Sequence, residues 1–341
     1  MTVGKVAVVG GGSWGTTVAA LMAPRVETVL WARSPELAAQ MTGERVNPTY
    51  LPGVALPVEL AVTSDLEAAA AGADLVLMAV PSHGFRAVLT AVAPFVGPGT
   101  PVVSLAKGIE QGTLMRMSEI VAEVMPGTPA GVLTGPNLAR EVAEGQPTAT
   151  VVALADQTLA VRVQDCLHSG NLRVYTASDV VGCEIAGATK NVLAIAAGIC
   201  DGLGFGENTR AALITRGLAE LGRLGIALGG HTLTFGGLAG VGDLVATCTS
   251  GRSRNRTVGV ELGRGRTLED IVGSMQMVAE GVKTAVPLVS LASSHDVEMP
   301  IAEQVAAIVS GRTSPRAALE ALMVRPARTE WDPELLEGLH R

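Results

Sequence analysis

The sequence predicts an α/β protein, with an N-terminal, doubly wound, mostly parallel sheet followed by a C-terminal, mostly α-helical domain. Three observations carry this reading. Short β-branched apolar runs alternate with helical stretches through the first half. A glycine-rich turn separates the first such run from the first helical stretch. Near Ser178 the texture changes, and long Ala/Leu/Gly segments with helical spacing replace the strand-like runs. A chain of 341 residues ordinarily holds two domains. We expect them over 1–178 and 179–328, with a charged surface tail over 329–341.

In chain order, strands are expected at 5–9, 28–32, 74–80, 101–105, 131–133, 149–153 and 172–175. Helices are expected at 14–23, 35–41, 84–93, 114–124 and 157–168. The run Leu75-Val76-Leu77-Met78-Ala79-Val80 is continuously apolar, as a parallel strand covered on both faces should be. Beyond 178, helices are expected at 180–200, 209–228, 254–262, 282–293 and 301–309, with Pro287 and Pro300 as punctuation.

Composition narrows the function classes. With 48% apolar and 17% charged residues, global disorder is excluded. A net charge of −7 and 3% aromatic residues argue against a nucleic-acid partner. Cys166, Cys183, Cys200 and Cys248 form no C-x-x-C pair, which implies reduced thiols, no metal site and a cytoplasmic protein. The stretch 6–24 is uncharged, but Gly10-Gly11-Gly12 ends its apolar run after Val6-Ala7-Val8-Val9. That is shorter than the about 7–15 residues of a signal-peptide core. The uncharged stretch 224–242 holds seven glycines and His231, so it reads as a buried helix–loop region rather than a membrane span.

The most specific local motif is Gly10-Gly11-Gly12-Ser13-Trp14-Gly15, between an expected strand and an expected helix. Gly10-x-Gly12-x-x-Gly15 is the Rossmann dinucleotide fingerprint in its required context. Gly10 makes the tight turn, Gly12 lets backbone approach a pyrophosphate, and Gly15 lets the helix pack close to the sheet. The helix N-terminus presents N–H groups to the phosphates. NAD-selective sites place an acid at the end of the second strand, but here Thr28-Val29-Leu30-Trp31-Ala32-Arg33-Ser34 has none. Arg33 stands where a cation can pair with a 2′-phosphate, so NADP(H) is favoured and NAD(H) is possible.

Two more strand ends face the crevice where such sheets bind ligands. Lys107 follows one and could hold a phosphate or carboxylate. His83 follows another; it could be a catalytic acid, but a loop His with no visible partner is more often structural or merely exposed. In the second half, Lys190 is set in an almost uncharged segment, so it must snorkel, pair or be desolvated. A desolvated lysine can exchange a proton near neutrality. Asp243, in Gly240-Val241-Gly242-Asp243-Leu244, reads as a partner for Lys190, as a ligand for a substrate hydroxyl, or as a helix N-cap. Thr247-Cys248-Thr249-Ser250-Gly251-Arg252-Ser253-Arg254-Asn255-Arg256 combines hydroxyls, Gly and three Arg, a donor set that suits a phosphate.

Together these residues resemble the bacterial-type NAD(P)-dependent glycerol-3-phosphate dehydrogenases, from the fingerprint to about residue 325. The resemblance rests on Gly10–Gly15, Ser104–Glu110, Thr134-Gly135-Pro136-Asn137, Ala188-Thr189-Lys190-Asn191, Gly240–Leu244 and Ser253-Arg254-Asn255-Arg256 in order. It implies that Lys190 is the proton donor and acceptor and that Asp243 holds it. It implies that Lys107, Gly135, Asn137, Ser253, Arg254 and Asn255 surround the substrate with them. It further implies that Ser13, Trp14, Arg33, Ser34, Lys107, Ala139, Arg254, Val278 and Glu280 lie near the dinucleotide, beside Gly10, Gly12 and Gly15. Asn137 stands where many relatives have Ser or Thr, and Ser34 where some have His, which leaves Arg33 more of the NADP preference. The implied reaction is reversible reduction of dihydroxyacetone phosphate, feeding glycerophospholipid synthesis. A homodimer is expected as the commonest assembly, and composition leads us to expect a cytoplasmic protein with no membrane or nucleic-acid partner. The alternatives are another two-domain dehydrogenase of the β-hydroxyacid or 6-phosphogluconate type, or a non-catalytic NADP-binding redox sensor.

Overall fold

Lys5-Val6-Ala7-Val8-Val9 forms β1 (Lys5–Val9), with its last four side chains buried, the pattern of a strand covered on both faces. The computed structural model that contains it describes residues 3–275, 279–326 and 329–330. The expected tail therefore lies, beyond Glu330, outside the described residues. Over those residues the chain forms two compact units, 3–106 with 117–180, and 107–116 with 181–330. Residues 107–116, inside the first expected domain, thus pack with the second unit. The cause is local: Ile109 is buried in the helical core, and Arg116 pairs with buried Glu184 at 2.8 Å.

The first unit contains β1, α1 (Ser13–Met22), β2 (Glu27–Trp31), α2 (Pro35–Glu44), β3 (Val46–Asn47), β4 (Leu51–Ala55), β5 (Ala61–Thr63), α3 (Leu66–Ala70), β6 (Leu75–Met78), α4 (Ser82–Val92), β7 (Val102–Ser104), α5 (Met117–Val124), β8 (Ala130–Thr134), α6 (Ala139–Ala143), β9 (Thr148–Leu154), α7 (Gln157–Leu167) and β10 (Leu172–Ala177). Eight strands make one sheet in the order β10-β9-β8-β7-β6-β1-β2-β5. Every neighbouring pair is parallel except β8 with β9, so the expected parallel sheet carries a reversed edge. In register, Val9 lies opposite Trp31 and Met78, and Met78 opposite Ser104. The carboxyl ends of β1, β2, β6 and β7 therefore stop level, and the loops that leave them share one edge.

Neither the hairpin of β3 and β4 nor β5 was expected. Asn47-Pro48 and Leu51-Pro52-Gly53 carry loop chemistry, and a hairpin can keep Pro at an unpaired edge. The five-residue helices α3 and α6 are likewise too short to show a 3.6-residue period.

The second unit is helical: α8 (Val180–Gly202), α9 (Glu207–Ala227), α10 (Thr232–Phe235), α11 (Asp243–Thr249), α12 (Arg254–Gly263), α13 (Leu268–Gly273), α14 (Glu280–Ser294), α15 (Pro300–Val309) and α16 (Pro315–Met323). Helices α10, α11, α13 and α16, which the sequence pattern does not announce, are all under ten residues. A single π-helical turn at Leu238–Gly242 leads into α11. Helix α8 is the centre of this unit, buried from Gly182 to Cys200. It has the length and hydropathy to cross a membrane, but 89% of that stretch is buried inside the protein, which reads as a core helix. Its apolar side chains join those of α9, α14 and α15 in one cluster.

Candidate active site

In the first unit the glycine-rich turn leaves β1 at the shared sheet edge. Gly10 has a φ of +128°, and a Cβ there would lie 2.5 Å from the Ala79 carbonyl oxygen. A Cβ on Gly15 would meet the Gly10 carbonyl oxygen at 2.0 Å, so both must be glycine for α1 to start here. At Gly12, by contrast, a Cβ would meet nothing within 4 Å. Gly12 is also the N-cap of α1, with no side chain capping the helix. Open space above a helix N-terminus is the setting that accepts a phosphate. Trp14 adds a second sign, since its indole nitrogen is buried without a hydrogen-bond partner. A buried donor left unpaired costs stability, and a bound polar group would satisfy it.

Other members of the expected dinucleotide set lie around this turn. The Thr17 hydroxyl donates to the carbonyls of Ser13 and Ala139, at 2.9 and 3.2 Å, which ties Ala139 to the first turn of α1. Arg33 follows β2, exposed and with no partner among the described residues. Ser34 is occupied: its hydroxyl caps α2 by accepting from the Leu37 N–H and donates to Glu36. His83 is exposed on the first turn of α4. Gly135, with a φ of +131°, and Asn137 follow β8. Both amide atoms of Asn137 are buried and unpaired, a second place where polar groups await a partner. Sequence reasoning missed Asn47. Its amide donates to the Gly11 carbonyl at 2.9 Å and the Thr16 hydroxyl at 2.8 Å, bracing the glycine turn from the hairpin. Asn-Pro in a turn was the available signal.

In the second unit three expected residues meet around one carboxylate. Asp243 opens α11, with Gly242 rather than Asp243 as the N-cap. Its Oδ2 accepts from Lys107 Nζ at 2.6 Å, and its Oδ1 lies 3.1 Å from Lys190 Nζ. The side chains are 2% exposed for Asp243, 11% for Lys107 and 8% for Lys190, so this is a buried cluster of two cations and one anion. Burial alone would raise the Asp243 carboxyl, but Lys107 and Lys190 outweigh it and hold it below the usual carboxylate range. Burial pushes the Lys107 ammonium down to about 8; Asp243 opposes that fall and Lys190 adds to it.

Neighbours complete the cluster. Lys190 Nζ donates to the Thr247 hydroxyl at 2.8 Å, which itself donates to Asp243 Oδ1 at 3.3 Å. One helical turn separates Asp243 from Thr247, so α11 presents both to Lys190. The Asn191 amide donates to the Lys107 carbonyl at 2.9 Å and accepts from the Asn255 amide at 2.8 Å. Asn255 in turn accepts the Gly281 N–H at 2.9 Å. The sequence offers Thr247 only as one hydroxyl of a phosphate-suited run, whereas here it is bonded to Lys190 and Asp243; Asn191 lay in its motif without an assigned role, and their i+4 and i+1 spacing from Asp243 and Lys190 was the signal.

Ser253 caps α12, accepting from the Arg256 N–H at 3.3 Å. Arg254 is the exposed first residue of that helix, and Glu280 opens α14 beside Gly281. Val278 lies outside the described residues. Burial pushes the neighbouring Cys248 thiol up to about 12, which leaves it inert, and all four cysteines are free thiols. Among the described residues no three His, Cys, Asp or Glu side chains gather as metal ligands.

Residues 5–160 match the family model of the NAD-dependent glycerol-3-phosphate dehydrogenase N-terminus, and 179–320 match that of its C-terminus. Glycerol-3-phosphate dehydrogenase (NAD(P)+) of Geobacter metallireducens is 53% identical over 96% of this chain and 98% of its own length. A Sphingopyxis alaskensis protein of the same description, numbered 2, is 50% identical over 96% and 99%. The crystal structure of glycerol-3-phosphate dehydrogenase from Coxiella burnetii superposes with a TM-score of 0.91 at 38% identity, covering 94% of this chain and 99% of that one.

Proposed function

Because the chain belongs to the NAD-dependent glycerol-3-phosphate dehydrogenase family, we propose that it reversibly reduces dihydroxyacetone phosphate to sn-glycerol 3-phosphate with NAD(P)H. The observation that carries the residue assignments is the buried Lys107–Asp243–Lys190 cluster. A dinucleotide, when bound, supplies a hydride from C4 of its nicotinamide to C2 of the substrate. The C2 carbonyl π pair then moves onto oxygen. Lys190 Nζ donates a proton to that oxygen, which completes the alcohol, and the neutral amine regains a proton from solvent. In the reverse direction Lys190 Nζ takes the C2 hydroxyl proton. Asp243 and Thr247 aim the Lys190 ammonium, and Lys107 adds a second positive charge where negative charge develops.

The rest of the site anchors substrate and dinucleotide. Arg254 and Ser253, with the amide hydrogen of Asn255 that Asn191 leaves over, hold the phosphate. Gly10, Gly12, Ser13, Trp14, Gly15 and Ala139, all in the first unit, hold the dinucleotide. The open turn at Gly12 and the unpaired Trp14 nitrogen support this fit. Arg33, free and exposed, pairs with a 2′-phosphate and gives NADP(H) the advantage. We place the enzyme in the cytoplasm as a homodimer that supplies glycerophospholipid synthesis.

Purified protein mixed with dihydroxyacetone phosphate should oxidise NADPH, followed at the reduced-nicotinamide band, faster than NADH. Lys190→Ala should lower kcat by about 10²- to 10⁴-fold, the usual worth of a positioned general acid, with NADPH affinity unchanged. Equal loss of turnover and NADPH affinity would reduce Lys190 to a structural residue.

A further inference from the structure

Helix α8 carries a second charged residue on the face that bears Lys190. Asp201 lies eleven residues on, and at about 3.6 residues per turn that is three turns, which returns it to nearly the same azimuth. Its Oδ2 accepts from Arg256 Nε at 2.9 Å and from a terminal guanidinium nitrogen of Arg256 at 2.7 Å. Its Oδ1 accepts from Arg210 of α9 at 3.0 Å. Both carboxylate oxygens are thereby engaged, Oδ2 by two nitrogens of the Arg256 guanidinium and Oδ1 by Arg210, and hydrogen bonds between charged groups are stronger than neutral ones. The mechanism above uses neither Asp201 nor Arg256.

Arg256 is one residue from Asn255 and two from Arg254, and its backbone N–H holds the Ser253 hydroxyl. Whatever fixes Arg256 therefore fixes all three phosphate-anchoring residues. The helices themselves meet backbone to backbone. A Cβ on Gly198 would lie 2.0 Å from the Arg256 carbonyl oxygen, and one on Gly259 2.0 Å from that of Ile195. A turn further on, Gly202 and Gly263 repeat the pattern, at 2.2 Å from the Val260 and 2.6 Å from the Ile199 carbonyl oxygens. The glycine seam sets the distance between α8 and α12 but offers little grip along the axis, because smooth backbone surfaces can slide. Two directional contacts supply that grip: the Asn255–Asn191 amide bond beside Lys190, and three turns further along α8 the Asp201–Arg256 contact, 2.7–2.9 Å long.

We propose that Asp201 is a positioning residue for the phosphate subsite: through Arg256 it locks the start of α12 in register with Lys190 on α8. This rests on the reading of Ser253, Arg254 and Asn255 as the phosphate anchor. The lock bears on the phosphate anchors, so with NADPH saturating its loss falls on phosphorylated substrate. Asp201→Asn removes one charge and keeps the shape.

The test compares kcat/KM for dihydroxyacetone phosphate and for unphosphorylated dihydroxyacetone, with saturating NADPH. In Asp201→Asn the first should fall by about 10- to 100-fold, the scale of a misplaced anchoring group, while the second stays unchanged. Arg256→Gln should reproduce this signature from the partner side and carries the test if Asp201→Asn fails to fold. The double variant should lose no more than either single one, since both break the same contact. Equal losses on the two substrates, or an additive double variant, would overturn the proposal. Arg254→Ala separates the two readings. If it also affects both substrates alike, the phosphate assignment itself has failed. If it discriminates and Asp201→Asn does not, only the positioning role has failed.

Discussion

Replacing Asp243 by Asn is the sharpest probe of the cluster, because it keeps the volume and removes the only negative charge. Asp243 touches Lys107 at 2.6 Å and Lys190 at 3.1 Å, and is 2% exposed. Removing one partner from a buried ion pair costs about 3–5 kcal/mol, because the remaining charge is left uncompensated. At 1.36 kcal/mol per factor of ten, the same loss in the transition state lowers kcat/KM by about 10²- to 10⁴-fold. The pH profile should move as well. In the wild type the Lys107 ammonium titrates at about 8, so kcat/KM should fall as pH rises through that value. In the Asp243→Asn variant, burial and Lys190 still disfavour the proton on Lys107 and only the weaker pull of Glu280 opposes them, so the alkaline limb should move to lower pH. Initial rates from pH 6 to 9 measure both effects, and fluorescence titration should find NADPH affinity little changed. A loss under tenfold with an unmoved limb would refute the cluster as the source of catalysis.

Two stability measurements follow from the same physics. Lys107 has a folded value of about 8 against 10.5 normally, so between those pH values the unfolded chain binds more protons than the native one. Stability should therefore rise with pH across that window, by about 3 kcal/mol at most, and urea unfolding of Lys107→Met should lose the rise. Glu220 of α9 is buried and accepts the Ile301 and Ala302 N–H groups at the start of α15. Burial raises its carboxyl from 4.5 to about 7, against those two bonds. Here the native state binds more protons, so the melting temperature should fall as pH rises from 4.5 through 7, and Glu220→Gln should flatten that slope.

The sequence made the long elements legible because their patterns repeat. The strands from β6 through β10 and helices α8, α9 and α14 each follow an apolar run or a 3.6-residue stripe. What escaped was set by contacts between distant residues. Asn47 is a turn residue by composition, and only the fold brings it to the Gly11 carbonyl and Thr16. The transfer of residues 107–116 to the helical unit has the same origin, since Ile109 finds its apolar neighbours beyond residue 181. At the site, residue types and spacing marked Lys190, Asp243 and Lys107 separately. Spacing alone balanced Asp243 between N-cap and partner, and the structure resolves that balance, since Gly242 is the cap and the carboxylate faces two lysines.

That arrangement answers a problem that a single lysine would not solve. An isolated ammonium in an apolar core tends to shed its proton, because burial penalises the charged form. A neutral amine cannot donate to a developing oxyanion. Asp243 counters this by lying against two ammonium groups at once, while its own carboxyl stays ionised. The cluster then carries one net positive charge with each group in contact, and that surplus is what an anionic transition state can use. The cost falls on Lys107, the member driven down to about 8, and it explains why its carbonyl is also held. Asn191 fixes that carbonyl, and the Arg116–Glu184 pair anchors the far end of the 107–116 segment. Both tethers fix the backbone from which the Lys107 side chain reaches Asp243, and the 2.6 Å contact with that carboxylate keeps the second charge in the site.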